Sequence, residues 1–397
     1  MYFKTLEKTD CSGCTACVSA CPKHCIAMKP DEEGFFYPVI DKSVCIECGL
    51  CEKVCPFENP KYENTEVTDV YACYVRDKKQ RQRSTSGGLF YAISQWVISN
   101  GGIVYGAAFD KDFKLHHIGV DNMADLERLR GSKYLQSYLG NTFCEIKNHL
   151  KSGRWVYFVG CGCQVAGLNA FLRKKHDKLI TSDLVCHGAP SQLMFDWHLD
   201  YLRRKEKGEI ISYTFRDLEG WGGCESYEYD SQTNGKGKRR NPTYFTSPYL
   251  YSFMWAYNYR YSCYDCKFAR VPRQGDVTLA DYWGVAKYFP ELDMSKGVSL
   301  VLVNTFQGVK IWDAIKEVLE YRKSNVLEAA AENGNLVHKT AMPPIRPMCY
   351  QMIRERGYDD VAMKEFRVDK YWRKRIKVFL SSTKLWKTIR QIMKKIK

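Results

Sequence analysis

The chain has 397 residues, 45% hydrophobic and 26% charged, values of a folded protein with two or three domains that exclude wholesale disorder. Its net charge of +15 is unevenly held: the segment 364–397 has thirteen Lys and Arg against Glu365 and Asp369, eleven of the fifteen charges. The body is therefore close to neutral, and with no recognition module beside the basic tail a nucleic-acid partner is not expected.

The start, Met1-Tyr-Phe-Lys-Thr-Leu-Glu7, lacks a basic-then-apolar signal, and no apolar run approaches the length of a membrane span. With eighteen cysteines to keep reduced, a cytoplasmic setting is expected. Between Cys11 and Cys55 the spacing C-x2-C-x2-C-x3-C-P occurs twice: Cys11, Cys14, Cys17, Cys21-Pro22 and Cys45, Cys48, Cys51, Cys55-Pro56. Three closely spaced thiolates wrap one face of an iron–sulfur cube, and the fourth, before proline, reaches across to the other cube. The spacing predicts two 4Fe-4S clusters, one on Cys11, Cys14, Cys17 and Cys55, the other on Cys21, Cys45, Cys48 and Cys51. Zinc is the simpler alternative, but it takes two pairs of ligands rather than triplets with a trailing C-P. Cys25 falls outside the ligand count and reads as a packed thiol. The stretch resembles the bacterial two-cluster ferredoxins.

Beyond Pro60 the polar segment 61–69 reads as a linker. A strand is predicted at 70–75, then a helix at 89–98 entered from Ser84-Thr-Ser-Gly-Gly88 and stopped by Gly101-Gly102. Strands follow at 103–109 and 114–120, and a helix at 122–130. The apolar run 154–160 predicts a buried strand and 165–172 a helix, with Cys161-Gly-Cys-Gln164 at the turn between them. A strand at 179–185 ends in Cys186-His187-Gly188. After Glu209 the chain is irregular and aromatic, with Trp221-Gly-Gly223 and a Gly/Lys-rich loop at 234–240. Strands at 276–282 and 299–306 and a helix at 309–322 complete the pattern, which reads as α/β layers with room for antiparallel strands in the middle third.

Cys161, Cys163, Cys186, Cys263 and Cys266 all fall at predicted element ends, where α/β folds place ligands. Four of the five can bind another cluster or a zinc ion; small buried thiols are the plainer reading. Several motifs surround them in a fixed order: Ser86-Gly87-Gly88, Gly131-Ser132-Lys133-Tyr134, Gly160-x-x-Cys163-Gln164, Cys186-x-Gly188, Cys263-x2-Cys266, Leu279-Ala-Asp281-Tyr-Trp-Gly284 and Lys296-Gly-Val-Ser299. As an ordered set they resemble, over roughly 70–310, the family of beta subunits of coenzyme F420-reducing hydrogenases and dehydrogenases. That resemblance implies FAD, at least one cluster near it and two-electron chemistry. Cys163, which matches the family cysteine, is taken with Cys186, Cys263 and Cys266 as the expected set of a third 4Fe-4S cluster, with Cys161 as the alternative to Cys163. One departure stands out. The family usually has Gly-Thr-Pro-Cys-Gln where this chain has Gly160-Cys161-Gly162-Cys163-Gln164.

The residues themselves agree with a dinucleotide. Ser86, Gly87 and Gly88 open a helix whose N–H groups can receive pyrophosphate, or form a plain N-cap. Lys133, beside Gly131, Ser132 and Tyr134, can hold a phosphate or a reduced flavin, or sit solvated on the surface. Gln164 can bond a flavin edge or cap its helix. His187 and Asp281 are candidate proton donors, with Lys133, or structural groups at strand ends.

In the tail, Trp372, Ile376, Phe379, Trp386, Ile389, Ile392, Met393 and Ile396 recur at helical spacing among the basic residues, a stripe suited to an anionic membrane surface, a partner or the protein's own body.

The fold class expected is thus mixed α/β. A two-cluster ferredoxin-like domain (1–62) precedes an α/β flavin-binding body (63–152 and 153–325) and a basic helical extension (326–397). The function expected is an iron–sulfur flavoprotein oxidoreductase, cytoplasmic or peripheral on the inner membrane face. Electrons pass, in either direction, between a ferredoxin-type donor or a redox partner and a deazaflavin, quinone, tetrapyrrole or glycan intermediate. The alternative is a non-catalytic electron-transfer subunit of a hydrogenase or dehydrogenase complex.

Overall fold

A computed structural model describes residues 1–58, 64, 69–217, 224–230 and 238–366. Most of the 61–69 linker, Trp221-Gly-Gly223, most of the 234–240 loop and the apolar stripe of the tail lie outside the described residues. The chain divides into one unit of residues 1–194 and 259–342 and a second of 195–258 and 343–397.

The first unit opens with the cysteine-rich piece. Strands β1 (Ile26–Pro30) and β2 (Phe36–Ile40) pair antiparallel, from Ile26↔Ile40 to Pro30↔Phe36. Their turn is closed by Asp31, whose Oδ1 accepts from the N–H groups of Glu33 and Phe35. Two short helices, Ala16–Ala20 and Leu50–Lys53, start inside the two cysteine triplets. Ala16 and Val54 are fully buried in one apolar cluster with Phe143, Ile146, Leu168 and Phe171, so this piece packs directly on the body.

The body is an eight-stranded sheet. Its strands are β3 (Asp69–Val75), β4 (Ile103–Phe109), β5 (Leu115–Val120), β6 (Val156–Cys161), β7 (Leu179–Leu184), β11 (Val277–Asp281), β12 (Ser299–Val303) and β13 (Leu319–Ser324), the numbers β8 to β10 being strands of the second unit. They lie in the order β13-β3-β12-β11-β7-β6-β4-β5. The central four, β11, β7, β6 and β4, are parallel, and the outer pairings are antiparallel. Alternation along the strands sorts their side chains between two faces. Tyr157, Val301 and Val303 pack with the helices Leu89–Ser99 and Phe306–Ile315. Val156 and Phe158 pack instead with Thr142–Lys151 and Gly162–Leu172. The helix Leu89–Ser99 stops where expected: Gly101 is left-handed (φ 71°) and Gly102 N–H bonds to Val97 C=O.

One expected element is wrong. The helical pattern at 309–322 covers a helix from Phe306 to Ile315, a 3-10 turn and then strand β13. Thr305 caps the helix through its Oγ1, and Leu319–Ser324 is drawn into the sheet by pairing with β3 from Leu319↔Val75 to Ser324↔Val70. That pairing is between residues far apart in sequence, so local periodicity misses it.

The second unit holds the antiparallel strands anticipated in the middle third: β8 (Ile210–Thr214), β9 (Ser226–Tyr229) and β10 (Lys238–Arg240), in the order β10-β9-β8. Aromatic rings fill it, with Phe195, Tyr213 and Phe215 within 5.2 Å of one another by ring centroid.

Candidate iron–sulfur site

The two cysteine triplets fold alike because the same backbone twist recurs in each. Gly13 and Thr15 are left-handed (φ 71° and 60°), and so are Glu47 and Gly49 at the matching positions (φ 50° and 68°). Each loop turns an N–H onto its first sulfur: Gly13 to Cys11 Sγ at 3.3 Å and Glu47 to Cys45 Sγ at 3.4 Å. Such loops leave the thiols facing a common space. One cavity is lined by Cys11, Cys14, Cys17 and, from the far end of the motif, Cys55, with Pro56 and Phe57 closing it. Burial pushes the Cys14 thiol up to about 12, with the neighbouring charges of Cys55 and Cys11 adding to it. Burial raises Cys17 well above the ordinary range too. Buried thiolates this close together need a cation, which iron supplies. The donor set therefore fits a cluster.

Cys21, Cys45 and Cys51 gather around Ile26, Val18 and Ile40, with Cys48 exposed at the rim. Cys25 is buried there too, its sulfur 3.4 Å from that of Cys21.

The body set lies at the carboxyl ends of the parallel strands. Cys161 ends β6, Cys186 follows β7, and Cys263 lies on the short helix Tyr261–Tyr264, three residues before Cys266. The helix after β6 begins at Gly162, three residues earlier than expected, so Cys163 and Gln164 occupy its first turn. These thiols lie close together. Cys161 is raised first by a hydrogen bond with Cys186 and then by burial. Burial raises Cys163, with Cys266, Cys186 and Cys263 adding to the effect. Beneath them Arg273 meets Asp183 at 2.7 Å, both almost wholly buried. Cys14 packs against Gly167 on the helix that begins with Cys163 in its first turn, which brings the first ferredoxin set beside the body set. No group of three or more His, Cys, Asp or Glu among the described residues is spaced for a single metal ion.

The other sequence candidates fall into two groups. Around the start of helix Leu89–Ser99, Ser86 Oγ accepts from Ser299 Oγ at 3.1 Å, and Thr85 Oγ1 lies 3.5 Å from Ser132 Oγ. Gly87 is tightly placed: a β-carbon there would stand 2.3 Å from Cys73 O. Gly88 is left-handed (φ 91°), and no side chain caps the helix. Gly131 faces open space beside them. Lys133 turns back to the helix Met123–Leu129 and donates to the carbonyls of Arg128, Leu129 and Arg130 at 3.2, 2.9 and 2.7 Å, and burial lowers its ammonium to about 7. In the second group, Gln164 Oε1 accepts from Cys161 N–H while its Nε2 donates to Ser137 Oγ. The Ser137 hydroxyl lies 2.8 Å from His117 Nδ1, and His117 Nε2 lies 3.0 Å from Val159 O. Since a carbonyl only accepts, His117 carries its proton on Nε2, and its Nδ1 accepts a hydrogen bond from the Ser137 hydroxyl. Gln164 thus caps its helix and anchors a buried chain. Burial lowers His187, and the nearby carboxylate of Asp281 opposes that shift.

Residues 153–326 match the C-terminal family of coenzyme F420 hydrogenase/dehydrogenase beta subunits, and residues 10–59 match a 4Fe-4S dicluster domain. That family match covers 174 of the 397 residues. An F(420)H(2) dehydrogenase component from Methanosarcina mazei, one of that enzyme's subunits, is 22% identical over 225 residues, covering 54% of this chain. The chain spans 62% of the length of that relative. The 7Fe ferredoxin of Hydrogenibacillus schlegelii is 36% identical over 64 residues, 16% of this chain and 74% of the ferredoxin. A chain of the F420-reducing hydrogenase complex of Methanosarcina barkeri superposes with a TM-score of 0.43 at 15% identity, over 76% of this chain and 92% of that one. The dicluster domain makes this beta-subunit relative an iron–sulfur protein with a role in electron transfer.

Sequence reasoning did not find Arg260, Arg273, Gly167, Ser137 or His117 in this beta-subunit-like body. Gly167 alone carried a local signal, a glycine one helical turn past Cys163 in an otherwise apolar helix.

Proposed function

We propose that the chain is an iron–sulfur flavoprotein oxidoreductase. In this reading Cys11, Cys14, Cys17 and Cys55 hold one 4Fe-4S cluster, Cys21, Cys45, Cys48 and Cys51 a second, and four of the five body cysteines, with Cys163, Cys186, Cys263 and Cys266 as the set, a third. The observation that carries it is the packing of Cys14 against Gly167, one helical turn past Cys163, since neighbouring redox centres are what a relay of single electrons requires.

FAD supplies the conversion between single electrons and a two-electron transfer to an organic substrate. The uncapped start of helix Leu89–Ser99 supports that assignment, because its first N–H groups and dipole favour a phosphate, and Gly131 has open space beside it. Ser86 and Ser132 line the approach. His187, whose ring feels the charge of Asp281, is the group assigned to move a proton at the substrate. The electron donor is a ferredoxin-type protein or a partner subunit, and the substrate is a conjugated two-electron acceptor. A second reading, a subunit that only relays electrons within a larger complex, is favoured by the name of the M. mazei relative, a dehydrogenase subunit.

An anaerobic inventory tests both. The enzyme reading expects about twelve iron per chain, flavin absorbance and reoxidation of the reduced protein by a small acceptor. A chain with full iron and no flavin sinks the flavoprotein reading and leaves the relay.

A further inference from the structure

Arg260 is among the most deeply buried charged side chains of the protein, 1% exposed, and no carboxylate among the described residues pairs with it. Its fork is instead spent on the cysteine loops. Nε donates to Cys11 O at 2.6 Å, one Nη to Phe36 O at 3.0 Å, and the other to Gln136 Oε1 at 3.3 Å. The ring of Tyr37 lies under the guanidinium at 4.0 Å. Gly13 makes room for it: a β-carbon there would stand 3.3 Å from the guanidinium and 2.5 Å from Gln136. On its other side Arg260 lies three residues before Cys263, and the charges of Cys11 and Cys263 both act on it. A guanidinium without a carboxylate is expensive to bury unless anions stand beside it. The anions this arrangement offers are the cysteine thiolates.

We propose that Arg260 is a positioning residue that fixes the Cys11–Cys14 loop against the body and raises the reduction potential of the cluster held by Cys11, Cys14, Cys17 and Cys55. The inference rests on the cluster assignment proposed above. When a one-electron donor, a reduced iron–sulfur protein, passes its electron to that centre, the donor is oxidised and the centre gains one negative charge. No bond breaks, and no proton moves, because a guanidinium keeps its protons throughout the working range. The fixed positive charge stabilises the more negative state and so favours reduction.

The test is a redox titration of the full, anaerobically loaded chain followed by electron paramagnetic resonance, with iron counted in each sample. Arg260→Gln is expected to lower one midpoint by at least about 59 mV, the equivalent of tenfold in a one-electron equilibrium. The midpoint of the cluster on Cys21, Cys45, Cys48 and Cys51 stays in place. Arg260→Lys, which keeps the charge, is expected to hold most of the wild-type value. Gln136→Glu sets a carboxylate against the guanidinium without removing it and is expected to lower the same midpoint, so it decides the matter if Arg260→Gln fails to load. Unmoved midpoints at full iron content in Arg260→Gln, or in Gln136→Glu where the first cannot be read, overturn the inference. A wild-type chain without clusters overturns the underlying assignment instead.

Discussion

Cys14 lies so close to Gly167 that a β-carbon on the glycine would stand 2.9 Å from the cysteine sulfur and 2.8 Å from its Cβ. Gly167 sits one turn beyond Cys163 on the same helix, so one helix face presents a cysteine of the body set and the seat of a ferredoxin cysteine. Gly167→Ala is therefore expected to cost about 1–3 kcal/mol by overpacking and to lower the iron content. Thermal unfolding and iron analysis against wild type check both.

The cysteine sets make separable predictions for iron and sulfide content. Cys55→Ser should remove roughly four iron per chain, because Cys55 closes the cavity of the first triplet. Cys263→Ser should remove a similar number while leaving the ferredoxin signals in the spectrum. Cys25→Ala should leave iron unchanged, although its sulfur lies 3.4 Å from Cys21.

His117 gives the protein an acid limit. Burial lowers its imidazole from the ordinary range to about 4. Between that value and the unfolded value the unfolded chain binds the extra proton, so stability falls as pH drops through this window. The loss amounts to about 3 kcal/mol at most. His117→Gln should flatten the pH dependence of the melting temperature over that range, and a slope equal to wild type would exclude His117 as its source.

The Arg273–Asp183 pair is stabilising only as a pair. Arg273 is 2% exposed and Asp183 fully buried, and Thr278 Oγ1 also donates to Asp183 Oδ1 at 2.7 Å. Arg273→Met strands a buried carboxylate and should destabilise by about 3–5 kcal/mol. Adding Asp183→Leu should restore part of that loss, read from urea unfolding of the single and double variants.

The ferredoxin loops are legible in the sequence because their ligands recur every few residues, so spacing alone carries the geometry. Strands β6 and β12 are legible as apolar runs, and the helix Leu89–Ser99 by its glycine stop. Strand β13 is hidden because Leu319–Ser324 continues an amphipathic helical pattern and is claimed by β3 only in three dimensions. Gln164 carries two readings in the sequence, and the choice between them depends on Ser137 and His117, which no motif marks. Arg260 is invisible for the same reason at longer range: it lies 249 residues from Cys11, the residue it holds.

The cavity shared by Cys11, Cys14, Cys17 and Cys55 also has a bearing on biogenesis. On the cluster assignment proposed above, a nascent chain that has exposed only its first triplet has three sulfurs and no fourth, so iron delivery waits until residue 55 has been synthesised and folded back. Oxidative damage at Cys55 would in turn open a site whose other walls lie some forty residues upstream.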